Sequence, residues 1–108
     1  MGMSYQVLAQ ANPAATTSTT LYTVPAATQA IISTIVVCNQ GVSTNFNIQV
    51  SIGGVAANAS QYIAYQDTVN QNDSSILTMG ITMNAGDILY IYAGTANLSF
   101  NAFGCQIT

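Results

Sequence analysis

Four tyrosines, Tyr62, Tyr65, Tyr90 and Tyr92, and a run of oxygen donors, Asp67, Asn70, Asn72 and Asp73, are the side chains of this sequence best placed to do chemistry. Tyrosine rings can stack on sugars while neighbouring amides and carboxylates hydrogen-bond the sugar hydroxyls. The competing reading is packing, because Tyr alternating along a strand covers a core and leaves its hydroxyl at the rim. The stretch DTVNQND offers the oxygen ligands that calcium accepts, but its spacing is not that of an EF-hand loop and no Glu follows it. These residues also bond readily to their own backbone in turns. The expectation is therefore a loop over residues 67–75 and no metal site. Zinc is excluded more firmly, since two distant cysteines without His cannot build a tetrahedral site.

Catalysis lacks its usual parts. The chain has no Lys, Arg or His, and its only acids are Asp67, Asp73 and Asp87. A Ser or Cys nucleophile needs a neighbouring base or cation to activate it, and none is available. An Asp67–Asp73 dyad is the one acid–base pair the sequence could assemble, yet nothing around it resembles a catalytic signature. The reading is a non-enzyme with no catalytic residue and no cofactor.

The same balance constrains partners. Only 3% of the residues are charged and the net charge is -3, against about 25% charged residues in ordinary domains. Binding to nucleic acid requires cations that displace counterions from phosphate, so DNA and RNA are excluded as partners. Anionic membranes are excluded on the same ground. A surface of Asn, Gln, Ser, Thr and Ala has little charge repulsion to hold copies apart, which suits a protein that lives in contact with others. The N-terminal segment has neither the basic start nor the long apolar run of a secretory signal, so folding in a cytoplasm is expected. Cys38 and Cys105 are either a sheet-to-sheet bridge or two free thiols acting as small hydrophobes; the compartment and the absence of Trp favour the latter.

The 108 residues suffice for one domain with its own core. Residues 28–52 organise it, reading as two strands around an Asn39-Gln40-Gly41 turn. In the first strand Ile31, Ile35 and Val37 share one face, and Ala30, Ile32, Val36 and Cys38 the other. Phe46, Ile48, Val50 and Ile52 then alternate with Asn45, Asn47, Gln49 and Ser51, the pattern of a sheet wet on one side. Further strands are expected over 4–11, 20–24, 61–65, 76–83, 88–93 and 98–107, with a bulge at Gly80 and, near Ala102-Phe103, either a bulge or a strand that crosses between sheets. About eight short strands separated by turn signals predict an all-β, two-sheet antiparallel β-sandwich, jelly-roll or immunoglobulin-like. Residues 1–19 read as an N-terminal strand and arm, and 20–108 as the sandwich domain. Ile35, Val37, Ile48, Val50, Ile52, Ile88 and Phe100 are the expected core.

Four phrases carry a resemblance: Leu21 to Ala26 (LYTVPA), Ile35 to Gly41 (IVVCNQG), Tyr62 to Tyr65 (YIAY) and Tyr92 to Asn101 (YAGTANLSFN). Together they resemble a small family of tailed-bacteriophage virion structural proteins, known from phages of cyanobacteria and other aquatic bacteria. The likeness covers roughly residues 20–108. The chain departs from that family in carrying no Arg or Lys. The resemblance implies a capsid cement or decoration protein of the virion, assembled in the host cytoplasm. It would be a homo-oligomer, such as a trimer, that stabilises the lattice of the major capsid protein. The alternative it leaves open is a tail, baseplate or fibre module able to contact host glycans. The expected contact residues are Ala14, Ala15, Thr16 and Thr17 in the arm, Asp67, Asn70, Asn72 and Asp73 in the long loop, and Thr95 and Asn97 in the last turn.

Overall fold

Eight strands and a single 3-10 turn account for the regular structure of the computed structural model, which describes residues 2–108. The strands are β1 (Met3–Ala11), β2 (Thr19–Thr23), β3 (Gln29–Asn39), β4 (Thr44–Ser51), β5 (Tyr62–Val69), β6 (Ser74–Met83), β7 (Ile88–Ala93) and β8 (Leu98–Ile107). They form two four-stranded antiparallel sheets, ordered β1-β8-β3-β6 and β2-β7-β4-β5. First pairs with last, second with seventh, third with sixth and fourth with fifth. The chain is thus one long ribbon doubled back between β4 and β5 and rolled so that alternate pairs join opposite sheets. That order is the jelly roll, which decides between the two sandwiches the sequence left open.

β3 and β4 are not a hairpin, although their turn chemistry predicts one. They lie in opposite sheets, and residues 40–43 arch between them. The cause is Asn39, whose side chain is 1% exposed. Its Nδ2 donates to the carbonyls of Val42 (2.7 Å), Val69 (3.2 Å) and Asn70 (3.1 Å), and its Oδ1 accepts from the Gly41 amide (2.9 Å). One side chain therefore ties the arch to the turn between β5 and β6 and satisfies backbone groups that the crossing would strand.

The core fills the space between the sheets. Phe46 of β4 meets Phe100 of β8 edge to face, with ring centroids 6.0 Å apart. Ile32, Ile35, Val37, Ile48, Leu89, Ile91 and Leu98 are buried around them. Ile32 and Ile35 can both point inward because Ser33 is an extra residue in β3, which inverts the parity of everything after it. The freed Ser33 hydroxyl donates to the Phe103 carbonyl (3.1 Å). The expected face-sharing of Ile31 with Ile35 is corrected accordingly. Gly80 does lie at an irregularity, in the stretch of β6 between Thr78 and Ile81 that faces Ser33. The bulges near Ala102-Phe103, however, are in the flanking strands; β8 keeps its register through that point.

Two other expected core residues behave differently. Ile52 is 79% exposed, because β4 ends at Ser51 and the positive φ of Gly53 and Gly54 turns the chain outward. Ile88 pairs with Ser51, so it faces away from the interior and is only half-buried. This end of the sandwich, opposite the Asn39 arch, is closed by Asp87, whose carboxylate accepts from the amides of Gly53 and Asn84, each at 2.8 Å.

Both cysteines are free thiols. They belong to the first sheet: Cys105 pairs with Ile31, and Cys38 lies seven residues further along β3. That register separates them by roughly 20 Å at about 3.3 Å per residue, so no bridge between the sheets can form.

β1 is hydrogen-bonded to β8 along its length and forms one edge of the first sheet. Residues 14–17 are held against their own chain: Ala15 bridges Ala93, and the Thr16 amide donates to the Ala93 carbonyl at 2.8 Å.

Candidate functional site

The two outward faces of the sandwich differ in chemistry, and each difference follows from register. On the first sheet, residues paired across strands share a face. Tyr5, Cys105 and Ile31 form one outward row, and Val7, Phe103 and Thr34 the next. Val36 and Ile76 continue the face on β3 and β6. Tyr5 is 79% exposed and Ile76 66%, with Met3 and Val7 also open to solvent. This face carries no ionisable acid, since Asp67 lies in β5, Asp73 in the β5–β6 turn and Asp87 in the β6–β7 turn. Gln10 and Asn101 share the row of Val36 and Ile76, and Thr78 and Thr82 stand in the neighbouring rows, so the face sets exposed apolar side chains among neutral polar ones and offers both to another macromolecule.

The second sheet presents a groove of about 770 Å³ on its outer face. Its floor is the outward row of β4, Asn45, Asn47 and Gln49. Tyr90 of β7 and Tyr62 of β5 flank Gln49, and Tyr92 pairs with Asn47. Tyr65 and Gln66 stand opposite Asn47 as a two-against-one bulge, with Gln66 at φ 49°. Its amide donates to Asn47 Oδ1 at 2.6 Å. A second shift next to Ile63 brings Tyr62 and Tyr65 onto the same face, where their rings meet edge on at 4.7 Å. Without that shift, the three-residue spacing of Tyr62 and Tyr65 would put their rings on opposite faces. One wall is the 3-10 turn Ala59–Gln61, capped by reciprocal Asn58 and Gln61 bonds. The Asn58 carbonyl accepts from Gln49 Nε2 at 2.9 Å, which locks the wall to the floor.

Three of the four tyrosines singled out from sequence, Tyr62, Tyr65 and Tyr92, line this groove, and Tyr90 sits beside it with its hydroxyl donating to the Val55 carbonyl (3.3 Å). The amides Asn45, Asn47 and Gln49 were legible as a wet strand face but not as part of a site. What was missing was the pairing of β4 with β7, which sets the amide row beside the tyrosine row.

The expected contact residues gather at one end of the sandwich. Ala14, Ala15, Thr16 and Thr17 lie between β1 and β2, exposed and stitched to β7. Asn70, Asn72 and Asp73 form a tight turn rather than a long loop, with Asp73 N donating to Asn70 O at 3.2 Å. Asp67 is inside β5, half-buried and opposite Phe46, not in that turn. Thr95 and Asn97 occupy the β7–β8 connection, and the Asn97 carbonyl accepts from Gln40 at 2.9 Å. No group of three or more His, Cys, Asp or Glu side chains lies together among the described residues. No helix among them is long and apolar enough to cross a membrane.

Comparison with known proteins places the fold. No protein-family model and no curated protein matches this chain. Among solved structures, a chain from the structure of infectious bursal disease virus Gx strain is similar, with a TM-score of 0.59 at 12% sequence identity. The match covers 97% of this chain but 30% of the viral one, so this chain spans less than a third of that protein's length. The likeness is one of fold, over essentially the whole sandwich.

Proposed function

We propose that this chain is a structural protein of a virus particle. More finely, we read it as a cement or decoration protein of a tailed-bacteriophage head, which self-associates and grips the major capsid protein. The observation that carries this reading is the uncharged face of the first sheet, where Tyr5, Val7 and Ile76 stand exposed among neutral polar side chains. Without a cationic side chain, copies of this chain cannot hold one another by side-chain ion pairs, and this face offers the alternative of apolar burial with neutral hydrogen bonds. The fold shared with a chain of a virus structure supports the same reading. The missing bases and cations support a role without catalysis.

The test is the mass of the purified chain by light scattering, in low salt and in about 1 M NaCl, where charge interactions are screened beyond a few ångströms. The expected result is an oligomer in both conditions, and a monomer with undiminished thermal stability for Ile76→Glu. A wild-type monomer, or an oligomer that dissociates in salt, would refute the mechanism. Imaging of the intact particle then distinguishes head from tail, since hundreds of copies mean head and a handful mean tail. The second reading, a tail or baseplate module, draws its support from the tyrosine groove.

A further inference from the structure

We infer that the groove on the outer face of the second sheet is a binding site for a neutral carbohydrate. It is set apart from the apolar face by the full thickness of the sandwich, so it holds whether the particle carries this chain on its head or its tail.

The lining gives the ligand class. No charged side chain lines the groove, and the chain has no cation to supply one. Phosphate, sulfate and carboxylate ligands therefore find no counter-charge, which excludes nucleotides and acidic sugars. Amides and hydroxyls on the floor and walls make it too polar for a lipid chain. A peptide added as a strand would need the free edge of β5, and the Tyr65–Gln66 bulge breaks that ladder. A neutral sugar needs what remains, flat aromatic faces and uncharged donors and acceptors close together.

Those groups are held ready. The Asn47 carbonyl is occupied by the Gln66 amide, which leaves the Nδ2 of Asn47 pointing away as a donor. Asn45 Oδ1 accepts from the Thr68 hydroxyl at 3.1 Å, which likewise fixes its Nδ2. Among the described residues, neither of these amide nitrogens nor the hydroxyls of Tyr62 and Tyr92 has a hydrogen-bond partner within 3.5 Å. Successive rows along β4 stand about 7 Å apart, so the floor offers polar groups to more than one sugar ring. The capped wall at Asn58 needs no ligand to hold its shape. Binding thus orders little of the protein, and that cost does not count against affinity.

The test uses the purified full chain on a printed array of neutral oligosaccharides beside sialylated and sulfated ones. The best neutral hit is then titrated in solution by calorimetry. Binding is expected on neutral chains, with no gain from acidic groups and no loss at high salt. Tyr65→Ala removes an exposed ring that the core does not use. Asn47→Asp keeps the oxygen that accepts from Gln66 and replaces the free donor. Each should weaken binding at least about tenfold with an unchanged melting temperature. Ile76→Glu, on the opposite face, should leave the solution affinity unchanged even if it dissolves an oligomer, which separates this inference from the assembly reading. Absence of binding on the array, binding confined to acidic glycans, or affinity indifferent to both groove variants would each overturn it.

Discussion

Replacing Asn39 by Ala should cost this fold more than any other polar substitution. The side chain is buried and makes three donated contacts and one accepted contact, all to backbone. A net hydrogen bond is worth about 0.5–1.5 kcal/mol, and since two amide hydrogens serve three carbonyls, the set amounts to about 3 kcal/mol. Buried backbone groups left without partners raise the expected loss to about 3–5 kcal/mol. Domains of this size are stable by about 5–15 kcal/mol, so the variant would lose about a fifth of its margin or more. The melting temperature would fall by roughly 15–25 °C. Urea unfolding followed by far-UV circular dichroism measures this directly, with the slope unchanged if the native fold survives. Asn39→Asp sharpens the test. It keeps the acceptor for Gly41 but turns an anionic oxygen toward three carbonyls, so it should be worse than Ala. If Asn39→Ala lies within about 1 kcal/mol of wild type, the side chain does not hold the arch. If Ala and Asp lose the same stability, packing rather than donor geometry is the cause.

The other predictions probe the register. Gly104→Ala should destabilise by about 3 kcal/mol, because a Cβ there would run into the Ile31 carbonyl between two central strands that cannot part. Ile48→Ala should cost about 2–5 kcal/mol as a core truncation, read from the shift of the urea midpoint. Ile52→Ser, two strand alternations further on, should change stability by less than about 0.5 kcal/mol, because that side chain stands in solvent. Equal losses at the two isoleucines would mean that β4 runs on beyond Ser51.

The strands themselves were legible because β-branched and aromatic residues are clustered between turn residues, and the strand count follows from that. Parity was not legible wherever a bulge intervened. Ser33 looks like any polar residue in a strand, yet as an extra residue it brings Ile35 and Val37 inward beside Ile32. The shift at Ile63 acts likewise and collects two tyrosines that plain alternation separates. The Asn39-Gln40-Gly41 turn was misread for a different reason. Turn chemistry reports a reversal of direction, not whether the returning strand joins the same sheet. That choice is made by a contact between Asn39 and residues some thirty positions later, which no local pattern encodes. The groove was half legible: its tyrosines and its amide row were each visible, but their juxtaposition required the pairing of β4 with β7.

The order in which the strands pair bears on how the chain comes into being. β8 is wedged between β1 and β3, and the amides and carbonyls of Gly2 and Thr108 exchange bonds of 2.9 and 2.8 Å. β1 therefore has no partner in its sheet until β8 has been made, whereas β3 can already pair with β6. Until then the outward side chains of β1 and those of β3 belong to no common surface. The face shared by β1, β8 and β3 thus comes into being with β8, while the second sheet, which holds no part of β8, does not wait for it.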